Sequence, residues 1–296
     1  MRAARPRERQ NEGNSMNFNR PIAENIRENG MPFVAAHRGV CGANIPCNTL
    51  EAYQIAVNQG AEVVELDVTK SADGEYFAFH PGMERVFLKC GRKIPEMTAK
   101  EVREQPLLNF DEVPTHYRVP TLREALGVLR DRVYINVDKF WTDVEGITRE
   151  IRACGVEKQV IVKTPGKEEY LAAVEKYAPD LMYMAVLRGK DEQSELLLCR
   201  SIHYIGAEVL FSDLSEEVAS AAYIKKMHEK GLLLWVNAIV YNEKDIIAAD
   251  LTDDVSLVKG SEYGWDRLAE MGYDFIQTDF PLALKAELKR QKMAKI

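Results

Sequence analysis

The sequence predicts an α/β fold, a (β/α)8 TIM barrel with a short insertion after its second strand unit. The chain has 296 residues, a length that suits one barrel of about 250 residues plus short extensions. Short apolar runs alternate with segments of helical periodicity, and this alternation yields eight strands of the parallel type. The near-continuous apolar run at 32–36 is typical of a strand buried on both faces. An open doubly wound sheet is the alternative, but no Gly-x-Gly-x-x-Gly motif follows the first strand.

The spacing of apolar residues and the positions of capping residues define the expected elements. Asn48 or Thr49 can cap the first long helix, and Gly60 can end it in the left-handed conformation. The expected strands are 32–36, 62–69, 75–80, 133–138, 159–163, 181–187, 204–211, 232–239 and 275–279. The strand at 75–80 is expected to pair with the one before it. The expected helices are 21–29, 48–58, 98–104, 121–130, 143–153, 167–177, 193–201, 216–230, 265–271 and a last one that Pro281 begins.

Two regions are expected to differ from this regular pattern. Residues 1–20 are basic and polar, and we expect a disordered tail in which Met16 is an alternative start, with a single barrel domain over 21–296. Proline and glycine punctuate residues 81–120, which contain only the short helix at 98–104. We expect this segment to be an insertion at the barrel mouth, where loops more often carry specificity than stability.

Composition excludes several classes of protein. The formal net charge of −7 argues against a nucleic-acid partner, because such proteins usually present a basic face. No apolar run reaches the length of a membrane span, and the N-terminus lacks the apolar centre of a secretory signal. The five cysteines are scattered without a Cys-x-x-Cys pair, which favours a cytoplasmic protein over a disulfide framework. Cys41, Cys47 and Cys90 could still lie near one another, although scattered thiols are usually inert.

Acidic residues lie at strand ends that should face the barrel mouth. Glu65 and Asp67 are two residues apart on one strand, so their side chains point to the same side. Asp138 ends the next parallel strand and could supply a third carboxylate. Adjacent carboxylates repel unless a cation joins them, and Mg²⁺ or Ca²⁺ prefers oxygen ligands. The alternative is that each acid pairs with a basic neighbour such as Arg38, Lys70 or Lys139.

Two histidines and an arginine share the same unit. His37 and His80 are candidates for acid/base catalysis, because an imidazole titrates near neutral pH. Arg38 could bind a phosphate through two parallel hydrogen bonds. Lys163 could reach the phosphate or be a solvated strand end. Trp235 could pack against substrate or belong to the core. Asn237 points the same way and could bind a substrate hydroxyl. Together these residues predict a small-molecule substrate.

The motifs resemble those of the glycerophosphodiester phosphodiesterases, which are barrels related to the phosphatidylinositol phospholipases C. The resemblance rests on HRG at 37–39, NTLEAY at 48–53, ELD at 65–67, DG at 73–74 and the histidine at 80, followed by PTLREAL at 120–126, WVN at 235–237 and QTDFP at 277–281. It covers roughly residues 32–290. It implies a barrel with a short insertion, a magnesium or calcium ion held by Glu65, Asp67 and Asp138, and His37 and His80 as the acid/base pair.

The resemblance also implies a reaction. The glycerol 2-hydroxyl of a glycerophosphodiester attacks phosphorus, the alcohol leaves, and water opens the cyclic phosphate to glycerol 3-phosphate. Cys47 stands where the family usually has Glu, and Pro81 where it usually has Asp after the second histidine. The lysine after Asp138 is shifted by one position relative to the family strand, so Lys139 is not expected to have the family lysine's role.

Three other functions remain open. The same chemistry could act on a lysophospholipid or a glycerol-phosphate polymer, for which an apolar lip around 86–88 would be expected. Cys47 and Pro81 would also fit a barrel that binds phosphate with little or no turnover. An aldolase or isomerase would need a buried Schiff-base lysine, for which Lys163 is the candidate.

Overall fold

Eight parallel strands close into a barrel in the computed structural model, which describes residues 16–240, 242 and 244–294. Each expected strand is present within a few residues, and a further pair lies in the insertion. The strands are β1 (Phe33–Ala36), β2 (Val63–Lys70), β3 (Tyr76–Ala78), β4 (Pro106–Leu108), β5 (Pro114–Arg118), β6 (Tyr134–Asp138), β7 (Val160–Pro165), β8 (Met182–Arg188), β9 (Tyr204–Leu210), β10 (Leu233–Asn237) and β11 (Phe275–Thr278).

The barrel closes because β1 pairs in parallel with both β2 and β11. The remaining barrel strands follow in the order β2, β6, β7, β8, β9, β10 and β11, all in parallel. β3 adds to β2 in antiparallel orientation, as expected. The register of β2 and β6 sets Glu65 beside Asn136 and Asp67 beside Asp138. This closed parallel architecture confirms the predicted (β/α)8 barrel and excludes the open sheet.

Most of the twelve helices in the described part of the chain follow a barrel strand and lie around the outside; the first precedes β1, and the third and fourth lie in the insertion. They are α1 (Ile22–Asn29), α2 (Leu50–Asn58), α3 (Glu84–Phe87), α4 (Ala99–Glu104), α5 (Leu122–Leu129), α6 (Val144–Cys154), α7 (Glu168–Tyr177), α8 (Ser194–Leu197), α9 (Ala221–Glu229), α10 (Asp253–Lys259), α11 (Trp265–Met271) and α12 (Pro281–Ala294). The expected helix at 216–230 is divided, because the Ser220 side chain accepts a hydrogen bond from the Tyr223 N–H and begins α9 there. α8 is shorter than expected, and α10 was not predicted.

The insertion has more structure than its prolines and glycines indicate. Besides α4, it contains α3, a 3₁₀ turn at Ile94–Glu96 and the antiparallel hairpin of β4 and β5. Its apolar side chains form a small core together with two phenylalanines in and just after β3. The members of this core are Phe77, Phe79, Leu88, Ile94, Met97, Val102, Leu107 and Val119. The expectation of a single short helix was therefore wrong, because the other elements are each only three to five residues long and lack a clear period.

Strand side chains alternate between two apolar layers, as the period of a β-strand requires. Val34 and Val64 point outward into the layer between barrel and helices. Phe33 and Val63 point inward, together with Tyr134, Ile161, Met184, Trp235 and Phe275, and fill the lower barrel. Further along each strand, toward its carboxyl end, the inward-facing positions are occupied by polar residues. This alternation brings Glu65, Asp67, Asp138 and Lys163 into the barrel interior.

The first 15 residues of the expected tail lie outside the described part of the chain. Met16 and Phe18 lie against the inner apolar layer at the base of the barrel, and the Phe18 ring meets Tyr134 edge to face at 5.0 Å. Arg20 Nε donates to Asn25 Oδ1 at 2.8 Å. Among the described residues, no helix combines the length and apolar character needed to cross a bilayer.

Candidate active site

A cavity of about 220 Å³ opens at the carboxyl ends of the barrel strands. This is the face at which barrel enzymes carry their catalytic residues. The strand alternation and the loops after the strands bring together side chains that are far apart in the sequence. The lining includes His37, Arg38, Glu65, His80, Asn136, Asp138, Lys139, Trp141, Lys163, Arg188, Glu208, Asn237, Asp245 and Gln277.

Three carboxylates form a cluster on one side of this cavity. Oxygen atoms of Glu65, Asp67 and Asp138 lie within 4.8 Å of one another. Burial, followed by the charge of Asp67, raises the pKa of Glu65 to about 7. The structure therefore brings the three predicted metal ligands together, in a setting where the negative charges repel and a cation is favoured.

Asp67 is the most buried member of the cluster. Its Oδ2 accepts a hydrogen bond from Asn48 Nδ2 at 3.0 Å and lies 2.9 Å from Arg38 Nε. Its Oδ1 is buried and, among the described residues, has no hydrogen-bond partner. His80 Nε2 and Lys139 Nζ lie 3.8 and 3.7 Å from that oxygen. A buried carboxylate oxygen with free acceptor capacity, beside two further carboxylates, fits a hard divalent cation such as Mg²⁺ or Ca²⁺.

The basic neighbours compensate part of this charge, as the alternative interpretation expects. Lys139 Nζ lies 2.7 Å from Asp138 Oδ2, and its backbone is in the left-handed region with φ 60°. Lys70 does not take part, because its ammonium pairs with Asp143 at 2.8 Å. Arg38 and Lys139 together carry fewer charges than the three carboxylates, so the two interpretations are compatible. Lys139 reaches the site despite its shifted position in the strand motif.

The backbone turn after β1 requires Gly39 of the HRG motif and orients Arg38. Arg38 has φ 56°, its N–H donates to Glu65 Oε2 at 2.9 Å, and its side chain turns back toward Asp67. Gly39 follows with φ 79°, and a Cβ there would lie 2.7 Å from the backbone of Ala52. Only glycine fits against α2 at this position. The turn thus aims the guanidinium into the carboxylate cluster.

His37 is held by a carboxylate from the last strand end. Its Nδ1–H donates to Asp279 Oδ1 at 2.8 Å. Burial lowers the pKa of His37, but the hydrogen bond to Asp279 and the charge of Glu65 outweigh it, so that the pKa is raised overall. The remaining ring nitrogen, Nε2, is left available for proton transfer. Asp279 lies in the QTDFP motif, but its partner cannot be identified from the sequence alone.

His80 has a different environment. Burial is the main cause of the lowered pKa of His80. Its Nδ1 is buried without a hydrogen-bond partner within the described part of the chain. Pro81, which replaces the usual acid, has no side-chain acceptor to offer. The two predicted catalytic histidines therefore line the same cavity, but only His37 is oriented by a carboxylate.

Lys163 is buried at the floor of the cavity and is not a solvated strand end. Its Nζ lies 2.9 Å from Glu208 Oε2 and 3.3 Å from the centre of the Trp235 indole ring. Burial lowers the pKa of Lys163, against the opposing charge of Glu208. Glu208 was not predicted, although a charged residue within the apolar run of β9 is costly without a partner and is a usable signal.

Trp235 lies beneath the cavity and does not line it. Its side chain is fully buried, stacks on Phe275 at 5.0 Å between ring centres, and has Nε1 3.1 Å from Asn237 Oδ1. The expected contact of Trp235 with substrate is therefore not supported, because Lys163 and Asn237 separate the indole from the opening. Asn237 does line the cavity, but its Nδ2 donates to Glu208 Oε1 at 2.5 Å.

A family model supports the assignment that this geometry indicates. The model described as Glycerophosphoryl diester phosphodiesterase family matches residues 37–283. The Arabidopsis thaliana protein Glycerophosphodiester phosphodiesterase GDPD4 is 31% identical over 107 residues, which are 34% of this chain and 31% of that protein. A glycerophosphodiester phosphodiesterase of Caldanaerobacter subterraneus is 26% identical over 156 residues, 50% of this chain and 63% of that protein. These alignments thus span less than two thirds of either relative.

Longer similarity is found in other proteins. The Bacillus subtilis protein YqiK, which is uncharacterized, is 27% identical over 278 residues, 88% of this chain and 100% of that protein. A glycerophosphoryl diester phosphodiesterase structure from Parabacteroides distasonis superposes with a TM-score of 0.71 at 19% identity, over 88% of this chain and 87% of that one. An Oleispira antarctica phosphodiesterase in complex with its product sn-glycerol-3-phosphate has a TM-score of 0.61 at 19% identity, over 88% and 98%. With the match to residues 37–283, the chain belongs to the glycerophosphoryl diester phosphodiesterase family.

Proposed function

We propose that this protein hydrolyses glycerophosphodiesters to glycerol 3-phosphate and an alcohol, with a divalent metal ion as cofactor. The observation that carries the proposal is the shared cavity, in which His37, His80 and Arg38 face a cluster of carboxylates. Two groups that can transfer protons, an anion-binding guanidinium and a cation site are the parts that phosphodiester cleavage needs. Membership of the family supports the same reaction class.

The carboxylates would hold the metal ion. Glu65, Asp67 and Asp138 supply only oxygen donors, which suits Mg²⁺ or Ca²⁺ rather than a softer metal. When bound, the ion would stabilise negative charge on the phosphoryl oxygens. Asn48 would keep Asp67 oriented through its 3.0 Å hydrogen bond.

The basic side chains would bind and orient the phosphate. Arg38 has its guanidinium at the cavity, and Lys163 brings a buried ammonium to the floor. Both charges lie in a largely desolvated setting, where their interaction with an anion is stronger than in water. Orientation of the diester between the two histidines would align the attacking and departing oxygens.

The two histidines would carry the protons of both steps. In the first step, one imidazole takes the proton of the substrate's glycerol 2-hydroxyl as that oxygen attacks phosphorus. The other imidazole donates a proton to the departing alcohol as its bond to phosphorus breaks. A cyclic glycerophosphate remains, and in the second step water opens it while the two imidazoles exchange roles. Asp279 would hold His37 in the tautomer that leaves Nε2 facing the substrate.

Release of glycerol 3-phosphate from glycerophosphocholine tests this proposal. The reduced protein is assayed after EDTA treatment and then with added Mg²⁺ or Ca²⁺, beside His37→Ala and the exposed control His116→Ala. Metal-dependent release that His37→Ala abolishes and His116→Ala retains is the expected result. Release that persists in EDTA would show that the reaction needs no metal ion. Release by His37→Ala would show that His37 is not required for catalysis.

A second candidate function is phosphate binding with little turnover. Cys47 and Pro81 favour it, together with the unpartnered Nδ1 of His80. Calorimetric titration with glycerol 3-phosphate separates the two functions. Binding without turnover at any metal concentration would favour the binding protein.

Other diesters remain a second possibility for the substrate. Of the lip expected at 86–88, Val86 is 52% exposed but Leu88 is buried in the insertion core. Val86 and Phe110, which is 87% exposed, would then form the apolar lip that a lysophospholipid uses. Phe110→Ser should then raise KM for a lysophospholipid and leave KM for glycerophosphocholine unchanged. Equal effects on both substrates would argue against a lipid-binding lip.

A further inference from the structure

The loop between β1 and α2 has two cysteines and is closed by its own hydrogen bonds. The Asn48 N–H donates to the Arg38 carbonyl at 3.0 Å, which joins the two ends of the loop. Within it, Gly42 and Ile45 exchange two backbone hydrogen bonds, each 3.0 Å long. Cys41 precedes this narrow pairing and Cys47 follows it. The closed loop therefore holds the two thiols in a fixed relation.

The two thiols lie close enough for each to shift the pKa of the other. Cys41 is exposed, whereas Cys47 is half-buried. The neighbouring Cys47 thiol is the main cause that lowers the pKa of Cys41 to about 7. A large share of Cys41 is then thiolate at neutral pH, and the thiolate is the form that reacts with oxidants. An exposed thiolate beside a second thiol is the arrangement of reversible redox sites.

We propose that Cys41 and Cys47 form a reversible disulfide at the mouth of the active site, and that this bridge lowers turnover. The bridge itself is independent of the function proposed above, whereas its effect on turnover rests on that function. The proposal takes up the possibility that Cys41 and Cys47 lie near one another, in place of the expectation that scattered thiols are inert. Cys154, by contrast, is buried in the layer between barrel and helices.

The oxidation balances with hydrogen peroxide as the oxidant. The Cys41 thiol reacts with one peroxide to give a sulfenic acid and one water. The Cys47 sulfur then attacks the Cys41 sulfur, the S–S bond forms, and the hydroxyl leaves with the thiol proton as a second water. Reduction by a dithiol such as dithiothreitol restores both thiols through a mixed disulfide.

The bridge would act on the site through the ends of the loop. A disulfide requires a distance of about 2.05 Å between the sulfurs, whereas both thiols are free in this structure, so the loop must tighten when the bridge forms. Its ends are Arg38, which contacts Asp67 and Glu65, and Asn48, which donates to Asp67. Small displacements of groups that orient a substrate or a metal ligand cost large factors in rate.

Peptide mapping of the full chain tests the bridge. Residues 39–70 form a single tryptic peptide that contains both cysteines and no other. After mild peroxide treatment and alkylation, we expect this peptide to be about 2 Da lighter than its reduced form and to carry no alkyl group. Dithiothreitol should restore two alkylation sites. Two alkylated cysteines after peroxide, or Cys41 present as sulfinic acid, would overturn the proposal.

Turnover is measured on the same samples. Peroxide should lower glycerol 3-phosphate release on the order of tenfold or more, and dithiothreitol should restore it. Cys41→Ser should be resistant to peroxide, whereas Cys199→Ser, which lacks a different exposed thiol, should respond like the unmodified protein. A disulfide that forms without changing turnover would overturn the proposal that the bridge lowers turnover. If the reduced protein has no turnover, the proposed function fails, while the peptide masses still decide whether the bridge forms.

Discussion

His37 and Asp279 are 242 residues apart in the sequence, yet Nδ1 of the histidine lies 2.8 Å from Oδ1 of the carboxylate. They meet because β1 and β11 are neighbours where the barrel closes. The pair fixes which nitrogen of His37 faces the cavity. A carboxylate in this position raises the histidine pKa and stabilises its protonated form.

Replacing Asp279 should therefore shift the pH dependence of activity. Asp279→Asn removes the charge that raises the pKa of His37, so this pKa falls. The limb of the kcat/KM profile that reports His37 should move to lower pH, and kcat should decrease on the order of tenfold or more. The exposed Asp254→Asn is the matched control. An unchanged limb with normal kcat would show that Asp279 does not orient the catalytic imidazole.

Asn48 should control metal affinity rather than the chemical step. Asn48 has φ 55°, and its amide connects Tyr53 to Asp67. Asn48→Gly tolerates this backbone conformation and removes only the amide. The metal concentration for half-maximal activity should rise on the order of 10- to 100-fold, with kcat recovered at saturation. A loss of kcat that excess metal does not recover would contradict this role. The exposed control Asn58→Ala should have the metal affinity and kcat of the unmodified protein.

Glu208 should matter for stability as much as for activity. It neutralises the buried Lys163 ammonium at 2.9 Å. Glu208→Gln leaves that ammonium without its counter-charge and should lower the free energy of unfolding by about 3 kcal/mol. Urea denaturation measures this change. The double variant Lys163→Met, Glu208→Gln should regain most of the stability while remaining inactive; a double variant as unstable as the single one would show that charge is not the cause.

His228, far from the active site, should make a pH-dependent contribution to the free energy of unfolding. Its Nε2 lies 3.0 Å from Asp274 Oδ2, and this hydrogen bond raises the pKa of His228. The folded-state pKa then exceeds the unfolded value, so the stabilisation is complete below about pH 6.5 and is lost as the pH rises through the folded-state pKa.

Unfolding experiments at two pH values check this sign. The difference in unfolding free energy between the unmodified protein and His228→Gln should be larger near about pH 5 than near about pH 9. The exposed His116→Gln should show no such trend. A difference that grows toward high pH would contradict the assignment.

The sequence determined by itself the features that depend on local periodicity. Apolar runs and capping residues are short-range signals, so the eight barrel strands were predicted within a few residues. Because side chains alternate along a strand, Glu65 and Asp67 had to share a face, and their position at a strand end indicated the barrel mouth. Asp138 and both histidines followed from the same logic.

Only the tertiary structure decided which distant groups meet. Closure of the barrel brings Asp279 to His37. Glu208 of β9 reaches Asn237 on the neighbouring strand β10 and, across β8, Lys163 on β7. Burial of Trp235 beneath Lys163 depends on how far each side chain reaches into the barrel, which periodicity does not encode. The proximity of Cys41 and Cys47 likewise depends on the folded path of one loop. Contacts of this kind are set by the packing of the whole chain, and no local pattern in the sequence reports them.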